Sequence, residues 1–157
     1  MGKVRAGTIA LVVISLPVLA GAFLYGPFVL DLFLHRRPPS RFLIPSGYTG
    51  WITIQYGVAG APPLPREGKF LLVRLTDNGT LQTSSDLPEG WADDQFFYYS
   101  SNTRETLSNA GWCKGGMIWG EVVGRQDGAG SFQRFFVGDE SRFRAEIDPT
   151  GKTYNPC

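Results

Sequence analysis

Residues 51–56 read WITIQY, with Ile52, Ile54 and Tyr56 alternating against Thr53 and Gln55. A period of two puts successive side chains on opposite faces, so this stretch predicts a β-strand with one apolar face toward a core. The preceding residues, SGYTG (46–50), read as a turn leading into that strand, with Tyr48 facing outward. The following GVAGAPPLPREG (57–68) is too rich in Gly and Pro to continue a ladder and reads as a loop.

The same style extends in the C-terminal direction. KFLLVRL (69–75) predicts a buried strand, and Asn78-Gly79 suits a tight hairpin turn into LQTSS (81–85). QFFYYS (95–100), GMIWGEVVG (116–124) and FQRFFVG (132–138) are aromatic and β-branched runs bounded by turn residues. Asp139, followed by Glu140 and later by Arg142 and Arg144, is arranged as an N-cap with charges that complement a helix dipole. The expected fold is therefore all-β, a small antiparallel sandwich or barrel-like domain with a short C-terminal helix. The order of a strand at 51–56, a Pro-rich loop and a hairpin also resembles transthyretin-like sandwiches.

Toward the N-terminus, Ala6–Leu30 runs 25 residues without a charged side chain, and about 20 suffice to cross the hydrocarbon core of a bilayer. Pro17, Gly21, Gly26 and Pro27 interrupt this run, as membrane helices tolerate. A cleaved signal peptide is the alternative, since MGKVR is a basic leader and Ala20-Gly21-Ala22 has small residues at cleavage spacing. An uncleaved anchor is preferred, because cleavage would leave the apolar FLYGPFVLDLFL exposed. The organisation read from sequence is a membrane anchor at 1–34, a basic Pro-rich linker at 35–41 and an extracytoplasmic β-domain at 42–157. Flanking charge is nearly balanced across the span and leaves orientation open.

Ten basic and thirteen acidic residues follow Arg41. This mildly acidic body, with its other basic residues beside the apolar span, argues against a nucleic-acid partner and for a membrane neighbour. His35 is the sole histidine and flanks the membrane segment, so Ser-His, Cys-His and multi-histidine metal chemistry is not expected in the β-domain. No cofactor and no metal is predicted. Ser84 and Ser85 have no evident base and read as turn residues.

Carboxylates are the remaining chemical candidates. Glu89, Asp93 and Asp94 could bind a cation or, with Glu121, form an acid/base pair, although their spacing matches no calcium loop. Aromatic faces offer a binding alternative: Tyr48, Trp91 and Trp112 are the candidates to meet a glycan or protein, while Trp51 and Trp119 fit a core. Cys113 and Cys157 could form a disulfide in an oxidising compartment. The function expected is that of a membrane-anchored, extracytoplasmic binding or structural module rather than an enzyme, the alternative being a carboxylate-dependent enzyme acting on glycans.

The blocks IPSGYTGWITIQYGVAGAPPLP (44–65), GTLQTSSDLPEGWADDQFFYY (79–99), GGMIWGEVVG (115–124) and RFFVGDE (134–140) together resemble a family of bacterial membrane-associated or lipoprotein-like domains of unknown function. The resemblance covers about residues 42 to 144. It implies an extracytoplasmic β-domain and brings no catalytic residue with it. The chain departs from lipoprotein-like members in having no cysteine near the apolar segment.

Overall fold

The computed structural model describes residue 25 and residues 36–101, 103–126 and 130–150. The membrane segment expected at 6–30 lies outside the described residues apart from Tyr25, and so does Cys157. Among the described residues no helix is long and apolar enough to cross a membrane. The chain divides into two units at Arg36 and Arg37, and the second carries everything that follows.

The described residues of this unit form nine strands and one short helix: β1 Ser40–Pro45, β2 Gly50–Tyr56, β3 Arg66–Glu67, β4 Phe70–Arg74, β5 Thr80–Gln82, β6 Gln95–Tyr99, β7 Arg104–Thr106, β8 Ile118–Gln126, β9 Gly130–Val137 and α1 Glu140–Ile147. They form two sheets, ordered β3-β4-β1-β6-β7 and β5-β2-β9-β8. The strands expected from WITIQY, KFLLVRL, QFFYYS, GMIWGEVVG and FQRFFVG are present, and Asp139 caps α1 by accepting the Arg142 N–H at 2.9 Å.

The sheets are mixed, which corrects the expected antiparallel arrangement. β1 pairs in parallel with both β4 and β6, and β2 in parallel with β5. The reason lies in the path of the chain. Strands consecutive within one sheet pair antiparallel, as in β3–β4, β6–β7 and β8–β9. From β1 the chain instead passes to the other sheet as β2 and returns, so the strands it later lays against β1 run alongside it.

Two local readings change with this topology. The Asn78-Gly79 turn forms, with Gly79 N–H donating to the Thr76 carbonyl at 2.9 Å, but it does not make a hairpin. Leu75 N–H still bonds Leu43 of one sheet at 3.0 Å, whereas the Gly79 carbonyl already accepts from Thr53 of the other at 2.9 Å. The turn therefore carries the chain between sheets. The second difference is β1 itself: Ser40 and Arg41, expected in a linker, begin the central strand of the five-stranded sheet. Phe42, Leu43 and Ile44 are all buried, because a parallel central strand covered on both faces carries an unbroken apolar run rather than an alternating one.

The core lies between the sheets. Phe42 stacks on Phe96 with ring centroids 4.8 Å apart, and Phe135 meets both rings edge-on at 5.4 and 5.5 Å. Ile52, Ile54, Val73, Leu75, Ile118 and Val137 fill the space around them. A second apolar cluster, Trp119, Phe136 and Phe143 with Trp51 and Trp112, sits on the opposite face of the four-stranded sheet under α1. Trp119 and Trp51 thus pack as expected, but in this outer layer rather than the inter-sheet core.

Candidate functional site

At the end of the sandwich where β1, β6 and β9 begin and β2 and β8 end, a cleft of about 710 Å³ opens. Its lining draws Ser40 from β1, Tyr56 from β2, Phe96 from β6, Glu121, Val123 and Arg125 from β8, and Gln133 from β9. The loop between β5 and β6 closes one side with Leu87, Pro88, Glu89, Gly90, Trp91, Ala92 and Asp94, while Arg37 reaches in from ahead of β1.

A β-bulge decides which β8 side chains face the cleft. Trp119 pairs with Phe136 and Val122 with Arg134, so three steps along β8 match two along β9. The extra residue shifts the phase of the alternation. Ile118 faces the core and Trp119 the outer cluster; beyond the bulge Glu121, Val123 and Arg125 point into the cleft and Val122 turns to solvent. Gly120, within the bulge, has φ +60° and packs against the Phe143 ring, a conformation and approach that favour glycine.

Two polar assemblies line the cleft. In the first, Arg37 grips Asp94 through Nη1 at 3.0 Å and Nη2 at 2.6 Å, and Ser40 N–H donates to the same carboxylate at 2.7 Å. Arg37 also donates from Nε to the Gly90 carbonyl at 3.0 Å, and its backbone N–H to Trp91 O at 3.2 Å. The pair therefore stitches the start of β1 to the 90–94 loop. In the second, Tyr56 Oη donates to Gln133 Oε1 at 2.8 Å, and Gln133 Nε2 donates to Glu121 Oε1 at 2.6 Å. Tyr56 and Gln133 are buried. Burial pushes the Tyr56 phenol well above its ordinary value of 10.0; nearby Arg37 pulls it back, and Asp94 and Glu121 push it further up. At the rim, Glu89 and Arg125 pair at 2.9 Å with both side chains largely exposed.

The sequence-derived candidates separate in space. Trp91 and Asp94 line the cleft, joined by Glu89 and Glu121, whereas Asp93 is exposed on the loop and is not part of the lining. Tyr48, expected to face outward, is half-buried against the core: its hydroxyl donates to the Trp51 carbonyl at 2.7 Å, and burial raises its pKa. Trp112 belongs to the cluster beneath α1, 4.8 Å from Trp119 and 5.8 Å from Phe143 between ring centroids. Cys113 lies beside it, its N–H donating to Glu140 Oε2 at 2.7 Å. The expected bond from Cys113 to Cys157 falls on a residue outside those described; among the described residues no cysteine is a free thiol. Also among the described residues, no group of three His, Cys, Asp or Glu side chains is placed to hold a metal ion.

Local sequence does not mark Arg37 or Gln133 as site residues, and it places Tyr56 on the core face of its strand. Arg37 sat among prolines and basic residues, while Tyr56 and Gln133 occupy strand positions that read as core or as polar alternation. Nothing local marks a pairing such as Arg37 with Asp94, 57 positions apart.

No curated protein matches this chain. In three dimensions it is similar to the 2.75 Å crystal structure of a chain from Bacillus anthracis described as a "Putative Lipoprotein", with a TM-score of 0.53 and 21% sequence identity over 75% of this chain and 81% of that one. That likeness concerns the fold. A family match spans residues 36–146, from just before Arg37 to the last turn of α1, and the chain belongs to the family of unknown function DUF6843.

Proposed function

We propose that this chain is a single-pass membrane protein, anchored through residues 6–30 with its β-domain outside the cytoplasm, and that the domain is a binding module whose ligand site is the cleft between the sheets. The observation that carries the binding reading is the cleft's construction. Its volume of about 710 Å³ is of the size that holds small ligands, and it combines apolar walls with a few positioned polar groups. The apolar 6–30 segment supports the anchor. The fold likeness to a chain described as a lipoprotein is in keeping with an extracytoplasmic location.

The reading is non-catalytic. Asp94 and Glu121 share the cleft, which is what favours the alternative of a carboxylate-dependent enzyme on glycans. Against it, Asp94 accepts three hydrogen bonds from Arg37 and Ser40, an arrangement suited to holding a loop rather than exchanging protons. A glycan or a protein segment remains the class of partner proposed.

Saturation-transfer NMR on the full chain in detergent micelles, against a library of small metabolites and oligosaccharides, tests the site. The expected result is a set of binders lost in V123W, which fills the cleft from an exposed wall position, with the melting temperature unchanged. Binders indifferent to V123W would remove the cleft from consideration, and turnover of a library glycan that E121Q abolishes would replace the reading by the enzymatic one. Reporter fusions at the C-terminus test location: activity of a cytoplasmic reporter, with silence of one active only outside the cytoplasm, would reverse the orientation.

A further inference from the structure

Resting on the reading of the cleft as a ligand site, we propose that it selects ligands carrying a protonated amine, received by the carboxylate of Glu121. The charges lining the cleft do not act equally. Arg37 has its donors committed: Nε to the Gly90 carbonyl, Nη1 to the Pro38 carbonyl, Ser40 Oγ and Asp94, and Nη2 to Asp94. It holds the loop and has little left for an anion. Arg125 and Glu89 neutralise one another at the exposed rim. Glu121 is the one lining carboxylate with no cationic partner among the described residues.

Glu121 is also held in place from behind. Its Oε1 accepts from Gln133 Nε2, and Gln133 is oriented by the Tyr56 hydroxyl donating to Oε1 of the same amide. The direction of donation runs from buried Tyr56 through buried Gln133 to exposed Glu121. Tyr56 spends its hydroxyl hydrogen on Gln133, and Gln133 one amide hydrogen on Glu121, so what the assembly presents at its outer end is carboxylate lone pairs. Lone pairs call for donors, and a carboxylate without a counter-ion calls for a positive one. The bulge in β8 supports the assignment, because it turns Glu121 and Val123 to the cleft together and places an aliphatic wall beside the acid. Leu87 and Trp91 extend the apolar lining, so an amine on a short apolar body matches the site better than a bare inorganic cation.

Three probes of nearly equal size test this on the isotope-labelled full chain in micelles by two-dimensional amide NMR: phenethylammonium, 2-phenylethanol and 3-phenylpropanoate. The expected result is saturable shifts at cleft residues with phenethylammonium, with the alcohol and the carboxylate binding at least tenfold more weakly. E121Q keeps the acceptor for Gln133 and removes the charge, and it is expected to weaken the amine at least tenfold and erase the preference. Equal binding of the alcohol or the carboxylate, amine affinity unchanged in E121Q, or silence of all three probes would each overturn the amine proposal. The cleft as a ligand site falls separately, if V123W also leaves every binder of the wider library in place.

Discussion

Arg37 and Asp94 face each other across the cleft wall in a two-pronged ion pair, at 3.0 and 2.6 Å, with only 14% and 13% of their side chains exposed. Removing one partner leaves the other charge largely buried and unpaired, which costs far more than the net value of the pair. R37A is expected to destabilise the β-domain by about 3 kcal/mol, at the lower end of the usual range because the pair keeps some contact with solvent. Urea unfolding followed by tryptophan fluorescence measures it. A change within 0.5 kcal/mol, the size expected of an exposed pair, would show that the loop is held by its backbone bonds instead.

The turn that carries the chain between sheets depends on glycine at position 79. Gly79 has φ +73°, and a Cβ there would overlap the hydroxyl of Tyr48, which is itself bonded to the Trp51 carbonyl. G79A therefore combines a left-handed backbone penalty with overpacking, and should cost about 2 to 4 kcal/mol. In G79A/Y48F the lost hydroxyl relieves part of the clash, so the double variant is expected to be less destabilised than the sum of the single ones.

Acid weakens the fold through carboxylates whose charged form is stabilised in place. Hydrogen bonds from Arg104 and then Arg41 hold Glu67 below its ordinary 4.5, Arg144 and the Cys113 N–H do the same for Glu140, and Ser141 and the Arg142 N–H lower Asp139 from 3.8. A folded pKa below the unfolded one contributes stability that is present above the unfolded value and lost as pH falls through the folded one. The urea midpoint should therefore drop as pH falls below about 4.5, and E67Q should flatten that slope. A midpoint that stays level down to pH 3 would contradict it.

The alkaline side has the opposite sign. Burial raises the Tyr56 phenol above its ordinary 10.0, so its contribution is intact below that value and is lost as pH rises beyond it. Y56F should lower stability near neutral pH by leaving the Gln133 carbonyl oxygen unpaired, and should also weaken the alkaline decline. Ultraviolet titration of the phenolate band in wild type and Y56F reads the ionisation itself; a tyrosine lost from the titration near pH 10 in Y56F would oppose the assignment.

A bond between Cys113 and Cys157 would tie the C-terminal tail DPTGKTYNPC to the GWCKGG segment. In the chain-entropy account, closing a loop of this length contributes about 3 to 4 kcal/mol. Intact mass after alkylation without reductant should show both thiols unmodified, and C157S should lower the unfolding midpoint. Double alkylation would exclude the bond.

Most of the longer strands were legible one segment at a time. The alternation in WITIQY, the aromatic runs at 95–100 and 132–138, and the Asp139 cap depend on neighbours within a few residues, so periodicity and side-chain chemistry suffice to read them. Composition likewise points to an apolar span at 6–30 and argues against histidine chemistry in the β-domain. Partnership between strands is another matter. Whether Asn78-Gly79 closes a hairpin or crosses between sheets depends on which sheet has room for β5, and the same turn chemistry serves both outcomes. The central position of β1 was hidden because a strand buried on both faces does not alternate. Glu121 enters the cleft only through the one-residue shift of the β8 bulge, and Arg37 meets Asp94 only because β1 lies beside β6. Those contacts join residues far apart in the chain, and their free energy comes from burial and pairing that exist only once the two sheets have closed.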